Sequence, residues 1–466
     1  MTIGNAMNTA SMVEPTQWFL TVWPDTHRPC MAVVTALVTG LLIVSATSEI
    51  HTMSRKPKPP PKPLQWRLEC LGHSLIEWLA SLLPSAWAFR LGVFFSALVW
   101  PFMPLRRKTI LRNLRIAYAG EKELPELRRM AKQTFCRTGA NLVSAAHTAA
   151  LPADKLVGAI DVQNIGLLED ALKAGKGIVL LLSHMGNWEI LSRIVLLFPH
   201  GMKAGAFYRP LNNTLLDERV LARREADGTR MFSKRDNPLS VAGFLREGGI
   251  VGILADQRVG KQGDLVSFFG RLTRASPLPS LLARRSKSIV LSLSVRTVSP
   301  GKWQAIFLPV EGPHTTTNCM AALERAMQIS PIDVFWFQER WKLYIRKTRT
   351  VAQWLGSDSV TGEKKHRALI WLPGTPDGWQ VPNGWQHPDV DYEIAMPQGD
   401  KLPSCLPEST TIHAMPSHGN LRDLRKAIAT IDESEPLPLD FILTTSANVA
   451  LMNAGSAEAI PVISLP

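Results

Sequence analysis

The stretch Ile178-Val-Leu-Leu-Leu-Ser-His-Met-Gly-Asn-Trp-Glu189 joins a short apolar run to a histidine and an acidic residue. A continuous apolar run of this length is typical of a strand that is buried on both faces of a sheet. In α/β proteins ligands bind at the carboxyl ends of such strands, and His184 lies at that position. A helix that begins near Gly186 would place Glu189 in its first turn, at the positive end of the helix dipole. The stretch therefore predicts an α/β fold with a candidate general base and a carboxylate at a strand end.

Strand-like and helix-like stretches alternate between about residues 150 and 310. We predict strands at 178–183, 204–207, 250–255, 289–295 and 303–310. We predict helices at 166–174, from about 186 to 197, at 214–225 and at 239–246. This alternation is typical of a sheet that is layered with helices.

Two further polar segments follow predicted strands. Arg209 comes directly after one strand, where its guanidinium could hold a phosphate or carboxylate, or could form a surface ion pair instead. Asp256 and Gln257 end another strand. If the strands that precede His184 and Asp256 are neighbours, Asp256 competes with Glu189 for the role of orienting the histidine.

The cysteines and histidines do not follow the spacings of known metal sites. Five single cysteines (Cys30, Cys70, Cys136, Cys319 and Cys405) are scattered along the chain. The segment at His184 lacks the His-Glu-x-x-His spacing of zinc peptidases. We therefore expect no metal site and no disulfide framework, and unpaired cysteines are typical of a reducing compartment.

The charge distribution changes near residue 355. The 466-residue chain has a net charge of +13, yet residues 355–466 hold 7 Lys and Arg against 14 Asp and Glu, a net charge of −7, which leaves +20 on residues 1–354. We expect an N-terminal extension at 1–64, a catalytic domain at 65–354 and a small C-terminal α/β domain at 355–466. Such a basic region suits an anionic membrane or an acidic protein, and no nucleic-acid-binding motif accompanies it.

The N-terminal extension contains a candidate transmembrane helix. Residues 31–47 carry no charge and are just long enough to span a bilayer. Basic residues follow this run more than they precede it, which favours a cytoplasmic location for the rest of the chain. A cleaved signal peptide is the alternative. A second apolar region, 74–105, is rich in Trp and Phe, and is either a pair of helices lying on the membrane or a pair of core helices.

Several motifs, taken in order, resemble those of the bacterial lipid A biosynthesis acyltransferases, which belong to the lysophospholipid acyltransferase superfamily. They are Arg106-Arg-Lys-Thr-Ile-Leu-Arg-Asn-Leu, Ser183-His-Met-Gly-Asn-Trp-Glu, Phe207-Tyr-Arg-Pro-Leu-Asn-Asn, Leu245-Arg-Glu-Gly-Gly-Ile-Val-Gly-Ile-Leu-Ala-Asp-Gln, Val266-Ser-Phe-Phe-Gly and Glu339-Arg-Trp-Lys. The resemblance covers about residues 65–347. It implies an enzyme that transfers a fatty acyl chain from an acyl carrier protein thioester to a hydroxyl of a lipid A precursor or a related glycolipid. It also implies a location at the cytoplasmic face of the bacterial inner membrane, in contact with its lipids.

The resemblance and the chemistry together suggest a role for each candidate residue. A hydroxyl is a poor nucleophile at neutral pH, so it needs a base such as His184, with Glu189 or Asp256 to orient that base. Arg209 is the candidate for substrate phosphate, and Asn187 and Gln257 are further candidate substrate contacts. Phe268 and Phe269 could line an acyl groove or pack in the core. No cofactor is required by this chemistry.

The C-terminal residues suggest a separate α/β unit. Arg367-Ala-Leu-Ile-Trp-Leu-Pro-Gly-Thr reads as a strand and a turn, and residues 440–466 read as strand, helix, strand. The last stretch is similar to part of the heptosyltransferase-like glycosyltransferases. Two alternatives to an acyltransferase thus stay open: an inactive membrane scaffold, and a glycosyltransferase acting through this unit. Truncation after residue 355 would separate the glycosyltransferase from an acyltransferase, because an acyltransferase is expected to survive it.

Overall fold

The computed structural model describes residues 63–199, 202–233, 236–259, 262–341, 350–355, 363–374, 379–397, 399, 410–415, 420–445 and 449–464. The predicted transmembrane run, residues 31–47, lies outside the described residues.

The described part of the chain begins with five α-helices, and strands and helices are interspersed after them. The α-helices are α1 (Pro63–Ser81), α2 (Ser85–Val99), α3 (Pro104–Tyr118), α4 (Leu124–Ala150), α5 (Ala153–Val157), α6 (Gly166–Lys173), α7 (Thr214–Glu225), α8 (Pro238–Arg246), α9 (Leu278–Ser286), α10 (Thr316–Gln328), α11 (Val351–Leu355), α12 (Leu421–Glu433) and α13 (Val449–Ala457). Short 3₁₀ helices span Trp100–Phe102, Trp188–Leu197, Pro331–Asp333 and Asn383–Trp385. The strands are β1 (Ile160–Gln163), β2 (Ile178–Leu182), β3 (Ala204–Tyr208), β4 (Arg230–Ser233), β5 (Ile250–Leu254), β6 (Asp264–Phe268), β7 (Arg271–Ala275), β8 (Ile289–Ser299), β9 (Lys302–Pro309), β10 (His366–Trp371), β11 (Val390–Pro397), β12 (Thr411–Met415), β13 (Leu439–Thr444) and β14 (Val462–Ser464).

A seven-stranded sheet forms the centre of the first domain, with the order β1-β9-β8-β2-β5-β3-β4. Strands β8, β2, β5, β3 and β4 are mutually parallel, whereas β8 and β9 form an antiparallel pair. All five residues of β2 are buried, as its apolar sequence predicts. The five predicted strands are therefore confirmed, and each lies in this one sheet.

The pairing register defines the two faces of this sheet. Leu180 in β2 pairs with Gly252 in β5, and Gly252 pairs with Ala206 in β3. Since paired residues of parallel strands point to the same side, these three positions share one face. The 3₁₀ helix Trp188–Leu197 borders this face. On the opposite face, Phe232 of β4 packs against Phe244 of α8 at 5.4 Å between ring centroids.

Helices α1 and α2 are packed on one side and exposed on the other. A Cβ on Gly92 of α2 would lie only 2.6 Å from Ala140 Cα of α4, so glycine permits this close approach. The outer side of these helices, together with exposed residues of the segments that follow each of them, forms what we call the apolar face. It consists of Leu64, Leu68, Leu71, Leu75, Trp78, Leu79, Leu82, Trp87, Phe94, Leu98, Phe102 and Leu105. Among the described helices, the segment Ser85–Phe102 has the length and composition to cross a membrane, and 22% of it is buried. This arrangement fits the interfacial interpretation better than that of two core helices.

The C-terminal residues form a second, five-stranded sheet with the order β12-β11-β10-β13-β14. All its pairings are parallel. The predicted strands at 367 and 440 and the predicted final helix and strand are confirmed by β10, β13, α13 and β14. Val351 and Leu355 of α11 pack in the hydrophobic core of this second sheet. The chain therefore passes from the core of the first sheet to the core of the second before residue 351.

Candidate active site

His184 and Asp256 meet at the carboxyl edge of the central sheet. Strands β2 and β5 are neighbours in parallel register, with Leu182 opposite Leu254, so the residues two positions beyond each strand come together. The Nδ1 of His184 lies 2.8 Å from Oδ1 of Asp256. The backbone N–H of His184 donates to Oδ2 of the same carboxylate at 2.8 Å. The carboxylate therefore fixes both the backbone and the ring of the histidine.

The backbone around His184 is held from the other side by the segment that follows β9 and α10. The N–H of Phe335 donates to the carbonyl of His184 at 2.7 Å, and the N–H of Gly186 donates to the carbonyl of Asp333 at 2.9 Å. Gly186 has a φ of +57°, and a Cβ there would lie 2.4 Å from the Val295 carbonyl oxygen. The glycine of the motif is thus required by the turn that presents the histidine.

The pair is electrostatically coupled. Burial alone would lower the pKa of His184, but the charge and hydrogen bond of Asp256, with a contribution from Glu189, outweigh it and raise that pKa above its ordinary value. Burial would raise the pKa of Asp256, but the charge and hydrogen bonds of His184 hold it below its ordinary value. Because an ionised carboxylate only accepts hydrogen bonds, Nδ1 carries the proton and Nε2 is left with its lone pair.

Gln257 covers that second nitrogen. Its Nε2 lies 3.2 Å from Nε2 of His184, so the amide N–H donates to the lone pair of the ring. The side chain of His184 is 13% exposed, which leaves the site open to solvent on one side. Gln257 therefore occupies the hydrogen-bonding position at Nε2 of His184.

Glu189 pairs with Arg224 rather than with His184. Its carboxylate accepts two hydrogen bonds of 2.9 Å and one of 3.3 Å from the guanidinium. The segment after the motif begins at Trp188 and is a 3₁₀ helix, not the α-helix expected from about residue 186. Glu189 still lies in its first turn and contributes to the raised pKa of His184 through its charge. The partner that fixes the ring is Asp256.

The other polar candidates differ in their exposure. Arg209 follows β3 at the same edge as Asp256, and its side chain is exposed. Asn187 is 1% exposed, and its Nδ2 donates to Thr148 Oγ1 of α4 at 3.0 Å. The side chain thus ties the motif to α4, and a contact between Asn187 and substrate stays a prediction.

Phe268 and Phe269 lie in the core. They are 0% and 2% exposed, and both rings pack near Trp341, with centroids 6.0 and 6.2 Å away. Phe269 also contacts Trp336 at 5.7 Å. This burial favours the core interpretation of these two residues over the acyl-groove one.

Two supporting side chains were not expected from the sequence. Arg340 is 4% exposed and donates to Thr273 Oγ1 at 2.9 Å and to the Arg274 carbonyl at 3.0 Å. Burial lowers the pKa of Arg340 to about 10, while the charge of Asp256 opposes that effect. Arg224 has no signal in the sequence, because it stands in a polar helix with several other arginines. Among the described residues, no group of three or more His, Cys, Asp or Glu side chains could hold a metal ion.

The fold and the ordered motifs agree with comparison against protein families. A family model described as bacterial lipid A biosynthesis acyltransferase matches residues 65–343. A search of curated proteins found no match for the chain. The matched region contains the whole central sheet, the His184–Asp256 pair and the apolar face apart from Leu64, and it ends before α11. Since the match covers more than half of the chain, the protein belongs to the bacterial lipid A biosynthesis acyltransferase family.

Proposed function

We propose that this protein transfers a fatty acyl chain from an acyl carrier protein thioester to a hydroxyl of a lipid A precursor. The observation that supports this most strongly is the 2.8 Å contact between His184 and Asp256 at the open edge of the sheet. Such a pair suits general-base catalysis on an alcohol, because the carboxylate fixes the ring and stabilises the imidazolium that forms.

The proposed reaction needs no nucleophile from the protein. The acceptor hydroxyl replaces the Gln257 amide at Nε2 of His184, and that nitrogen takes the hydroxyl proton as the oxygen attacks the thioester carbonyl. When the tetrahedral intermediate collapses, the C–S bond breaks and the thiolate receives the proton from the imidazolium. Arg209, exposed at the same edge, is positioned to bind a phosphate of the acceptor.

The proposed acceptor is a membrane lipid, and the apolar face supports membrane docking. Arg67 and Arg90 are exposed on the same helices, and Arg107 follows them, which suits anionic headgroups. Glu77 of α1 also binds Arg219 and Arg223 of α7, the helix that carries Arg224. The apolar face is thus connected to the candidate active site through two packed helices. We place the enzyme at the cytoplasmic face of the inner membrane, in contact with its lipids.

The test is acyl transfer by the His184→Ala variant. Purified full-length protein is incubated with acyl carrier protein thioesters and a lipid A precursor, and the product is detected by mass spectrometry. We expect turnover to fall by about 10²–10⁴-fold, the usual contribution of a general base. His314→Ala is the matched control, because His314 follows β9 and so lies at the opposite edge of the sheet. Equal turnover by both variants would refute the assignment of the base.

A further inference from the structure

Segment 333–338 lies against the turn that presents His184. Phe335 donates its N–H to the His184 carbonyl at 2.7 Å, and its ring lies 6.2 Å from the imidazole between centroids. Met185 and Val334, the neighbours of these two residues, form an antiparallel bridge. The position of the imidazole therefore depends on the position of this segment.

The two ends of segment 333–338 are held by different parts of the fold. At its start, the Asp333 carboxylate accepts hydrogen bonds from the N–H and the hydroxyl of Thr297 at 2.9 and 2.7 Å. At its end, the side-chain amide of Asn113 donates to the carbonyl groups of Trp336 at 2.8 Å and of Gln338 at 2.6 Å. One side chain thus satisfies two backbone acceptors where the segment ends.

Asn113 belongs to α3, and different sides of that helix contact different parts of the protein. Arg106 stands seven residues earlier, about two turns of the helix, so it lies on the same side and donates to the Phe337 carbonyl at 3.3 Å. On another side, Arg112 pairs with Asp440 of the C-terminal domain at 2.9 Å. The motif that runs from Arg106 to Asn113, which has no part in the proposed reaction, thus contacts the segment behind the candidate base.

We propose that Asn113 is a positioning residue for His184. Its amide fixes the end of segment 333–338, the segment fixes the turn, and the turn holds the imidazole against Asp256. Asn113 is 2% exposed, so its loss leaves two carbonyl groups without their donor in a place that bulk water does not reach. The role rests on the proposed function, since it assumes that His184 is the base.

The pKa of His184 is a suitable readout, because it depends on how closely the ring stays beside Asp256. The charges that act on the imidazole include those of Asp256, Glu189 and Arg224, and a substitution of the neutral Asn113 changes none of them. A displaced ring would feel less of the charge that raises its pKa, while burial would still lower that pKa. In Asn113→Ala we therefore expect the pKa of His184 to fall by about one unit, the lower end of the effect of an adjacent opposite charge.

The test uses full-length protein and diethyl pyrocarbonate, which modifies the neutral form of imidazole. The rate of modification of His184 is followed from pH 5 to 9 by mass spectrometry of the peptide that contains it, and the midpoint gives the pKa without any need for turnover. In parallel, kcat and KM are measured with an acyl carrier protein thioester and a lipid A precursor. For Asn113→Ala we expect kcat to fall by about 10²-fold with KM unchanged, the effect of a small misplacement of a catalytic group.

Arg112→Met is the matched control. Arg112 stands beside Asn113 on the same helix, but its hydrogen bond goes to Asp440 of the C-terminal domain. This variant should weaken the contact between the domains and still keep the wild-type midpoint for His184. Equal shifts in Arg112→Met and Asn113→Ala would assign the effect to the helix as a whole and overturn the role of Asn113.

The outcomes separate this inference from the proposed function. If Asn113→Ala is folded by circular dichroism and keeps the wild-type midpoint and kcat, Asn113 does not position His184. If Asn113→Ala does not fold, Asn113→Ser decides the question: it keeps one donor, so its midpoint should lie between the two, and a wild-type midpoint would count against the role. If the wild type transfers no acyl chain but the midpoint still falls in Asn113→Ala, the positioning stands and the proposed function fails.

Discussion

Asp256 makes two contacts with one residue, and each contact has a different consequence. Oδ2 accepts the backbone N–H of His184, which fixes the turn, and Oδ1 accepts from Nδ1, which fixes the tautomer. The same charge raises the pKa of His184. A base with a raised pKa is stronger, but it is protonated, and so inactive, up to a higher pH.

The pH dependence of the Asp256→Asn variant tests this coupling. The base must be neutral to act, so kcat/KM should fall as the pH drops through the pKa of His184. In the wild type this acidic limb of the pH profile should lie above about pH 6.5, the ordinary pKa of histidine. The amide of Asp256→Asn carries no charge, so it no longer outweighs burial, which lowers the pKa of His184. The acidic limb of the pH profile should therefore move to lower pH. The rate on the plateau should fall by about 10²-fold or more, because the tautomer is no longer fixed. The measurement is kcat/KM from pH 5 to 9.

Glu189→Gln is the informative comparison for that experiment. Glu189 raises the pKa of His184 only through its charge, while its hydrogen bonds go to Arg224. We expect a smaller shift of the acid limb in the same direction, with the tautomer still fixed by Asp256. A larger shift in Glu189→Gln than in Asp256→Asn would contradict the assignment of Asp256 as the orienting partner.

The sequence was sufficient to find His184, Asp256 and Glu189 but not to pair them. His184 and Asp256 stand just after strand ends, and Glu189 stands in the first turn of the helix that follows. Those positions are visible in the hydrophobic pattern. Which carboxylate reaches the ring depends on the strand order, which places β5 beside β2, and on the tight 3₁₀ turn at Trp188. A short sequence spacing encodes neither the strand order nor this turn. Arg224, the partner of Glu189, lies on α7, 35 residues after Glu189 in the sequence.

At the scale of elements, the strands that the sequence did not reveal include β1 and β4 at the edges of the seven-stranded sheet, the β6–β7 hairpin, and β11 and β12 of the second sheet. Strand β4 has four residues, Arg230–Ser233, and its burial does not follow a simple alternation. Four residues are too few to establish a period, and β4 pairs only with β3 at the edge of the sheet. By contrast, α7 spans the predicted residues, because Asn213 caps it with a side-chain bond to the Leu216 N–H.

Helices α1 and α2 lead to a prediction about their surroundings. Leu71 and Trp78 are 67% and 57% exposed on the apolar face, and so large an apolar surface is unfavourable in water. We expect a nitroxide attached through Leu71→Cys, in full-length protein reconstituted into anionic liposomes, to collide more with oxygen than with a water-soluble nickel complex. Leu421→Cys is the control, since Leu421 is 44% exposed but lies on α12 of the C-terminal domain, where the order of the two collision rates should be reversed. Equal behaviour of the two labels would show that the apolar face does not enter the bilayer.

At the scale of the whole molecule, the two domains are joined by buried ion pairs. Asp440 of β13 accepts hydrogen bonds from Arg112 at 2.9 Å, from His366 at 3.0 Å and from Arg271 of the β6–β7 hairpin. Arg115 of α3 likewise binds Asp432 and the carbonyl groups of the loop that follows α12. Two of the acyltransferase residues in these contacts are buried, with Arg271 at 0% and Arg115 at 3% exposure. Removal of the residues after 355 would leave these guanidinium groups without their partners, so we now expect that truncation to destabilise the catalytic domain instead of leaving it intact.

The Asp440→Asn variant tests whether this junction stabilises the protein. Burial alone would raise the pKa of Asp440, but Arg271, His366 and Arg112 outweigh it and hold that pKa well below its ordinary value. The carboxylate is therefore ionised at neutral pH, and its contribution to stability should be lost only as the pH falls below the ordinary carboxyl pKa. Removing the charge leaves Arg271 buried without a counter-ion, which should lower the free energy of unfolding by about 3–5 kcal/mol.

Asp391→Asn is the matched control. Asp391 of β11 pairs with Lys365 at the surface, where their side chains are 61% and 49% exposed. Such surface pairs contribute about 0.2–1 kcal/mol to stability. In urea unfolding at pH 7, the midpoint urea concentration should decrease strongly for Asp440→Asn and only slightly for Asp391→Asn. Equal decreases would mean that the junction holds the two domains together without stabilising either of them.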